Sequence, residues 1–284
     1  MLKRFLNGLV AIEVVAVDED GQYGLTAIGD GLREDAPGSL ASFATLCGED
    51  YYQAWLGLDI AARDDVTPFE HVFGAPVFDW DAQHPAAGDR FYRRMTTRIM
   101  SYAAATAAAS DLAAARRIVD VGGGHGVLLE AFLHRWPDAR GVLFDLPAAA
   151  GQDRLAAASL ADRVEVAGGD FFEETALPKG GDVYLLSQIL HDWDDARSTA
   201  ILRNIRRAID AAGRLLIVEV LMPERVAGPH PAVDLDLLMM VLTGGRERTA
   251  SEYRQLLEEA GFVVERVHED IAPGDISVLE ARPA

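Results

Sequence analysis

The sequence predicts an α/β protein whose doubly wound, mostly parallel sheet has an antiparallel C-terminal edge and follows a mainly helical region. Three observations predict this fold. Short apolar runs alternate with helical patterns from residue 117 onward, a glycine-rich turn follows the first run, and the last two runs lie too close together for a helical crossover. We therefore expect two domains, residues 1–110 and residues 111–284.

The composition is that of a folded acidic protein. Of 284 residues, 26 are Lys or Arg and 45 are Asp or Glu, which gives a formal net charge of −19. A surface of this charge repels phosphate backbones, so the composition argues against nucleic acid as the main partner. No apolar run approaches the ~20 residues that span a bilayer, and we therefore expect no membrane partner.

The N-terminal stretch and the cysteine content favour a cytoplasmic protein. Asn7 and Glu13 interrupt the apolar residues near the start, so we interpret this stretch as an amphipathic helix and not as a signal peptide. The single cysteine, Cys47, can form no internal disulfide, which fits a reducing compartment. We expect Cys47 to be a small, buried hydrophobic residue.

The first element of the helical region combines a helix and a hairpin. Apolar residues have helical spacing over residues 3–12, and residues 14–17 and 22–25 read as two short strands around an Asp-Glu-Asp-Gly turn. Thr26 can cap a following helix that ends before Pro37. This order is typical of part of a winged-helix unit, which commonly binds DNA. Because its acidic turn would not approach phosphate, we favour a scaffold or dimerisation role.

Residues 39–115 are predicted to be mostly helical, with an Ala-rich helix over residues 103–115 and breaks at three prolines. The prolines are Pro68, Pro76 and Pro85. A stripe of large side chains recurs at helical spacing at Phe91, Met95, Ile99 and Tyr102. Such a stripe most often belongs to a core. We also count Phe91 and Met95 as candidate substrate-binding residues.

The second domain supplies the sheet. Parallel strands are predicted at residues 118–121, 141–144, 164–166, 182–186 and 214–220. A helix is predicted at residues 127–136, directly after the glycines. Residues 262–267 and 276–281 should pair as an antiparallel edge.

The first predicted strand leads into Val-Asp-Val-Gly-Gly-Gly-His-Gly, residues 119–126. Glycines at Gly122, Gly124 and Gly126 allow positive φ and bring a ligand against bare backbone, although a tight structural turn would need the same residues. The dinucleotide pattern G-x-G-x-x-G would need glycine where Val127 stands, which argues against a nicotinamide oxidoreductase. Asp120, just before the glycines, favours a cationic ligand over a pyrophosphate.

Acidic residues follow the next two strands. Asp145 and the adjoining Leu146 lie at the end of the second strand, about 20 residues beyond the glycines, where a carboxylate can accept both hydroxyls of a ribose. After the third strand, Asp170 can accept from an exocyclic adenine amine while Phe171 covers the ring. Each aspartate alone fits a turn residue. Together, these strand ends converge on the crevice where such sheets bind ligands.

At these residues the sequence resembles the class I S-adenosylmethionine-dependent O-methyltransferases of small molecules, of the bacterial natural-product and plant phenolic type. The resemblance runs from about Leu2 to the C-terminus. It implies a Rossmann-like methyltransferase sheet and S-adenosylmethionine as cofactor, with S-adenosylhomocysteine as product. It places the three glycines beneath the methionine moiety, Asp145 on the ribose, and Asp170 with Phe171 at the adenine. Ser187 falls where the family often carries a residue touching the cofactor.

The chemistry is predicted just after the fourth strand, in His-Asp-Trp. His191 can take the proton of an acceptor hydroxyl as its oxygen attacks the methyl group, because imidazole has a pKa near ~6.5. In the family this position is the catalytic base. Two acids, Glu219 and Glu247, are at the positions where the family flanks that histidine, and they can orient and stabilise the ring. Asp192 is a further catalytic candidate that contacts the acceptor or caps a turn.

Other residues leave alternatives open. Met239 and Met240 lie on a helix that lines the acceptor pocket in the family, although paired methionines are often core filler. The sequence shows no Cys/His cluster for zinc and no convergent carboxylates for magnesium, so we expect no metal.

The resemblance implies a homodimer and a small aromatic acceptor. Family members usually carry interlocking helices before the point where this winged-helix portion starts, which puts the strength of the dimer and the closure of the pocket in question. The competing functions are a protein that binds the cofactor without methylating, by decarboxylase or hydroxylase chemistry or in a structural role, and a DNA regulator. The set of His191, Glu219 and Glu247 argues against the first, and the acidic hairpin argues against the second.

Overall fold

The computed structural model describes residues 1–61, 63, 66–146, 155 and 158–284. Within them, an N-terminal hairpin pairs β1 (Val15–Val17) with β2 (Tyr23–Leu25) in antiparallel fashion. The strands of the main sheet are β3 (Arg117–Val121), β4 (Arg140–Asp145), β5 (Val164–Gly168), β6 (Gly181–Ser187), β7 (Ile209–Val220), β8 (Phe262–Ala272) and β9 (Ile276–Pro283).

The main sheet has the order β5-β4-β3-β6-β7-β9-β8. Strands β5, β4, β3, β6 and β7 are parallel, whereas β9 pairs antiparallel with both β7 and β8. The chain winds outward in both directions from β3, so the carboxyl ends of β3 and β6 flank a topological switch point. The predicted fold class and the antiparallel C-terminal edge are confirmed.

The helices surround this sheet and build the N-terminal region. Helices α1 to α9 are Leu2–Ala11, Ala27–Gly31, Ala41–Leu46, Tyr52–Trp55, Leu58–Ala61, Pro68–Phe73, Val77–Gln83, Pro85–Met100 and Ala103–Ala109. Helices α10 to α13 are Val127–Arg135, Asp195–Ala208, Pro231–Leu242 and Ala250–Glu259. A π-helical turn spans Cys47–Tyr51, and 3₁₀ turns span Ala161–Arg163 and Leu190–Asp192.

Local signals explain where several helices begin. Pro68 and Pro85 stand in the first turn of α6 and α8, where a missing N–H costs nothing. Thr26 caps α2 by accepting from the backbone N–H of Gly29. Thr249 and Glu252 form the reciprocal capping box that starts α13.

Several predicted boundaries differ from the structure, and β7, for example, begins at Ile209 and not at residue 214. The Ala-rich helix α9 ends at Ala109 and does not continue to residue 115, because Ser110 adopts an extended backbone that turns the chain toward β3. Strand β8 runs to Ala272, well past residue 267, since irregular pairing with β9 accommodates extra residues. In β8, tertiary pairing with β9 overrides the local sequence pattern.

The sheet is buried on both faces. One face packs against α9 and α10, with Phe132 and Leu133 fully buried, and the other packs against α11 and α13, with Ile201 and Leu257 fully buried. A third apolar cluster joins α12 to the N-terminal helices, where Val241 is fully buried. This cluster holds α12 over the carboxyl edge of the sheet.

The structure corrects the prediction for Cys47, which is exposed. Cys47 opens the π-helical turn, and the turn directs its neighbours Leu46 and Tyr51 inward in its place. Helix α1 buries none of its residues. Within the described ranges, no helix is long and apolar enough to cross a membrane.

Candidate active site

The glycine loop between β3 and α10 forms the floor of the site. Gly122, Gly124 and Gly126 all adopt positive φ, at 69°, 52° and 73°. A Cβ atom on Gly122 would lie 2.5 Å from Cδ1 of Ile189, so the close approach of the loop to the next strand end also requires glycine there. The loop therefore presents bare backbone at the carboxyl edge of the sheet.

A cavity of about 300 Å³, which we call the cofactor cavity, lies above this loop. It is lined by the ends of β3, β4, β5 and β6 together with α8. Most of the predicted cofactor-binding residues line it: Gly122, Gly124, Asp145, Leu146, Asp170, Phe171 and Ser187. The sequence thus predicted which strand ends converge.

Two predicted cofactor residues are placed elsewhere. Asp120 is 1% exposed and lies behind the loop, where a Cβ on Gly123 would come 2.7 Å from its carboxylate. Burial, with the nearby charge of Asp145, raises the pKa of Asp120 to about 7. Gly126 is the N-cap of α10 and packs against Leu155, so neither residue lines the cavity.

Asp145 is held by the loop that it faces. Its Oδ2 accepts the backbone N–H of Gly124 at 2.7 Å, and its Oδ1 accepts that of Leu146 at 2.7 Å. Burial raises the pKa of Asp145, and these two bonds oppose the rise. A rigid carboxylate at this position can receive hydroxyl donors from a ligand.

The far end of the cofactor cavity is aromatic. Asp170 accepts the N–H of Phe172 at 2.8 Å, and Asn204 donates to the backbone carbonyls of Phe171 and Phe172. These bonds fix the Phe171 ring beside the cavity. On the opposite side, Ser187 shares a 2.9 Å hydrogen bond with Tyr102, a residue of the predicted stripe.

His191 sits on a 3₁₀ turn directly after β6 and is 4% exposed. Its Nδ1 is 2.7 Å from Oε1 of Glu247. Oε2 of Glu219 lies 3.7 Å from the same nitrogen, and Oδ1 of Asp192 lies 3.8 Å from Nε2. Because Nδ1 is bound to Glu247, Nε2 is the nitrogen available to a substrate.

Glu219 supports the turn more than the ring. Its Oε1 accepts hydrogen bonds from the backbone N–H groups of Ile189 and Leu190. Its Oε2 accepts a hydrogen bond from Nε2 of Gln188 at 2.9 Å. Glu219 is fully buried at the C-terminal end of β7, so these donors supply the partners that its charge requires.

The protonation of this cluster is strongly coupled. Burial alone would lower the pKa of His191, but Glu219, Glu247 and Asp192 outweigh burial and raise that pKa to about 10. Burial raises the pKa of Glu219 to about 7 and that of Asp192 to about 6, against the attraction of His191. The cluster therefore retains protons around neutral pH.

One ligand atom from each of His191, Glu219 and Glu247 lies within 4.8 Å of the others, a spacing that a metal ion could use. The hydrogen bonds of Glu219 to three N–H donors and of Glu247 to His191 account for the same arrangement. The absence of a metal remains a prediction.

A second, smaller cavity of about 70 Å³, which we call the acceptor cavity, lies beside His191 and Asp192. Phe91 and Met95 line both cavities and so form the wall between them. Met239 lines the acceptor cavity, whereas Met240 lines neither. Three residues of the predicted stripe therefore line a cavity, namely Phe91, Met95 and Ile99, whereas Tyr102 belongs to the core, as such a stripe predicts.

Sequence reasoning missed the residues that hold the His191 turn. Arg248, fully buried, donates to the carbonyls of Leu190 and Trp193 and binds Asp195 through Nε and Nη2. A Cβ on Gly245 would lie 2.0 Å from the carbonyl oxygen of His191. A fully buried arginine beside Glu247 is visible in sequence only as Arg-Glu-Arg, and no periodicity distinguishes it from a surface loop.

Gln188 is a further missed residue. Its φ of 54° is unusual for a residue other than glycine, and such strain concentrates at functional sites. Its side chain accepts from Nε of Arg98 at 2.9 Å and donates to Glu219. Gln188 lines both cavities, so it connects α8 to the His191 cluster.

Comparison with known proteins places this geometry in context. A sequence model of the family described as "O-methyltransferase domain" matches residues 55–263. The phenazine O-methyltransferase PhzM of Lysobacter antibioticus is 43% identical over 287 residues, covering 100% of this chain and 82% of that protein. The crystal structure of LaPhzM matches with a TM-score of 0.92 at 42% identity, covering 100% of this chain and 84% of that one.

A second similar structure was solved with ligands. NcsB1, an O-methyltransferase from neocarzinostatin biosynthesis in complex with S-adenosylmethionine and 2-hydroxy-5-methyl naphthoic acid, matches with a TM-score of 0.86 at 31% identity. The match covers 100% of this chain and 85% of that one.

Proposed function

Because the chain belongs to the family of S-adenosylmethionine-dependent O-methyltransferases, we propose that it methylates a phenolic or enolic hydroxyl of a small aromatic metabolite. One relative is named a phenazine O-methyltransferase, and NcsB1 comes from neocarzinostatin biosynthesis and was solved with a naphthoic acid. The acceptor proposed for this chain is accordingly an intermediate of natural-product biosynthesis.

The residues of the cofactor cavity fit S-adenosylmethionine. The positive-φ glycines give a floor without side chains, Asp145 offers a fixed carboxylate, and Phe171 offers a ring face. When bound, the cofactor supplies an electrophilic methyl group on a sulfonium centre. Gly122, Gly124, Asp145, Leu146, Asp170, Phe171 and Ser187 are the residues proposed to hold it. Asp120 and Gly126 would act indirectly, by shaping the loop.

The observation that carries the mechanism is the pairing of His191 with Glu247 at the wall of the acceptor cavity. A phenol with a pKa near ~10 is a poor nucleophile at neutral pH. His191 takes the hydroxyl proton through Nε2 as the acceptor oxygen attacks, and Glu247 stabilises the imidazolium that forms. Glu219 holds the turn beneath the ring, and Asp192 adjusts the charge at Nε2.

The raised pKa of His191 sets a condition on this step. In the ligand-free site the imidazole is protonated at neutral pH, so it becomes a base only after its proton has left. An acceptor that enters as its anion needs no base, because its negative oxygen then lies beside the protonated His191. Proton transfer from a neutral hydroxyl to neutral His191 would give the same pair of charges. Both routes predict activity that rises with pH.

Replacement of His191 tests the proposal. With labelled S-adenosylmethionine and a panel of hydroxyaromatic metabolites, the wild-type protein should form products whose new methyl group is on oxygen. His191→Ala should lower turnover at pH 7 by roughly 10²–10⁴-fold, the usual contribution of a general base. Its affinity for S-adenosylhomocysteine should stay unchanged, because His191 lies on the acceptor side.

The supporting acids sharpen this test. Glu247→Gln and Glu219→Gln should each cost less than His191→Ala, and neither should add to the loss in a double variant with it, because Glu247 acts on the ring directly and Glu219 acts on it through the turn that holds it. A His191→Ala protein with near-full turnover at pH 7 would reduce the site to proximity and desolvation. A methyl group on nitrogen or carbon would contradict O-methylation of this acceptor class.

We also propose that the chain forms a homodimer through its winged-helix region. The support is the exposed apolar surface of that region, where Leu2 is 70% exposed and Phe5 and Ile12 are each 64% exposed. The acidic hairpin beside this surface favours a protein partner over a nucleic acid.

A further inference from the structure

Helix α8 carries four arginines that have two different kinds of environment. Arg90 forms ion pairs with Glu49 at 3.1 Å and Asp50 at 3.6 Å, and Arg93 pairs with Asp89 at 2.6 Å. These two arginines are neutralised by neighbouring acids on the protein surface. The environments of the other two arginines can be compared with these paired ones.

Arg94 and Arg98 have no such partners. In the part of the chain that the structure describes, no carboxylate oxygen lies within 4.0 Å of either guanidinium group. Arg94 stacks on the ring of Phe43 with its Cζ 4.1 Å from the centroid, and Arg98 donates through Nε to the amide oxygen of Gln188. Both contacts are to neutral groups, so both positive charges remain uncompensated.

The two arginines share one face of α8 because they are four residues apart. Both line the acceptor cavity, together with His191. Burial lowers the pKa of Arg94, and the neighbouring Arg98 lowers it further. Two half-buried cations that repel each other at a cavity wall are costly unless an anion enters between or beside them.

The remaining charges of the cavity do not supply that anion. Asp192 also lines the cavity, but it faces Nε2 of His191, and Glu247 is bound to Nδ1 of the same ring. The chain as a whole is strongly acidic, with a net charge of −19, and therefore repels anions in general. Arg94 and Arg98 make the electrostatic potential of the acceptor cavity locally positive, which allows an anionic substrate to bind there.

We propose that the acceptor is an aromatic hydroxy acid whose carboxylate is bound by Arg94 and Arg98 while its hydroxyl faces His191. The planar guanidinium forks match a carboxylate in geometry as well as in charge. This assignment rests on the proposed O-methyl transfer and deepens it, because it names the group that orients the acceptor. Phe43, stacked on Arg94, keeps that fork in place.

The test compares acids with their neutral counterparts. Hydroxybenzoates and hydroxynaphthoates, each paired with its own methyl ester, are assayed for methyl transfer and for calorimetric binding to the protein saturated with S-adenosylhomocysteine. The variants are Arg94→Gln, Arg94→Lys and, as a matched control on the same helix, Arg93→Gln. Binding of S-adenosylhomocysteine to each variant confirms that the site is folded.

The wild-type protein should bind an acid more tightly than its ester. Loss of a charged hydrogen bond in Arg94→Gln should weaken binding of the acid by roughly 10–100-fold and leave the ester unchanged. Arg94→Lys should recover part of the loss, because it keeps the charge without the fork, and Arg93→Gln should behave as wild type.

Different failures have different meanings. Equal binding of acids and esters by the wild-type protein, with O-methyl transfer to both, would overturn the inference and leave the proposed function intact. An equal loss for acid and ester in Arg94→Gln would also overturn it, by showing that Arg94 acts only on cavity shape. Absence of methyl transfer to every acid and every ester would contradict the proposed function itself.

Discussion

His191 carries its charge because of what surrounds it, and three carboxylates dominate that environment. Burial by itself lowers the pKa of a histidine, yet Glu219, Glu247 and Asp192 together raise that of His191 to about 10. The neutral imidazole, which is the base, therefore becomes more abundant as pH rises from neutral toward about 10. We expect turnover to rise over the same range.

Asp192→Asn tests this assignment by removing one of the three carboxylates. The pKa of His191 should fall, so the rise of kcat/KM with pH should move to lower pH by roughly 1 unit. Asp138→Asn, on the exposed turn after α10, serves as the control and should leave the profile unchanged. A profile for Asp192→Asn that coincides with wild type would assign the pH dependence to another group.

Asp145 belongs to the cofactor side of the site, and its replacement should have a different signature. Asp145→Ala removes a carboxylate that can accept two hydroxyls and also leaves the N–H groups of Gly124 and Leu146 without their acceptor. Calorimetry should show S-adenosylhomocysteine binding weakened by roughly 1–3 kcal/mol, with wild-type affinity at the micromolar level. NAD should not bind measurably. Tighter binding of NAD than of S-adenosylhomocysteine would contradict the assignment of the cavity.

Secondary-structure elements were predictable where their signals are local. The strand ends at Asp145 and Asp170 could be placed because short apolar runs alternate with helices, and parallel strands must end at one edge. The same logic could not show that Asp120 lies behind the loop, since which side of a strand end a carboxylate takes depends on packing against Leu143 and Gly123. A recognised sequence pattern therefore predicts at which strand end a side chain lies better than it predicts the direction in which that side chain points.

The residues that hold the His191 turn could not be predicted from the sequence for a different reason. Arg248 and Gly245 lie more than 50 residues beyond His191 and act on it through buried backbone contacts. No spacing rule relates residues that meet only after α12 has folded over the sheet edge. The role of Gln188 could not be predicted from the sequence either, because it depends on a backbone angle and on contacts with Arg98 and Glu219.

Gly245→Ala tests how closely the loop before α13 controls the turn. The added Cβ would meet the carbonyl oxygen of His191 at 2.0 Å and the carbonyl carbon of Asp192 at 2.5 Å, so the turn must move. Turnover should fall by roughly 10²-fold, as misplacement of a catalytic group by about 1 Å does, while S-adenosylhomocysteine affinity is kept. Gly228→Ala, which adds a Cβ into open space, is the matched control. Wild-type turnover in Gly245→Ala would show that the turn tolerates displacement.

At the scale of the whole molecule, the two predicted domains meet at the site. The sheet supplies the cofactor cavity and the His191 cluster, whereas Phe91, Met95 and Arg94 reach the acceptor cavity from α8. Helix α12, which is fixed to the N-terminal helices by Val241, closes the other side. Changes in acceptor preference are therefore expected from the helical region, and changes in cofactor binding from the sheet. Division at residue 110 remains a prediction.

The same helical region should also determine assembly. Helix α1 buries none of its side chains within the chain, and Phe5 and Ile12 are each 64% exposed. A second copy packed on this face would remove that apolar area from water, at about 25 cal/mol per Å². Phe5→Glu combined with Ile12→Glu should shift sedimentation profiles at micromolar concentration from dimer toward monomer, whereas Lys3→Glu, on an already polar position, should change them little. S-adenosylhomocysteine binding should persist in the double variant, because the cofactor cavity lies in the sheet. A dimer that survives both charges at every concentration would locate the contact elsewhere, and a wild-type monomer would contradict the homodimer outright.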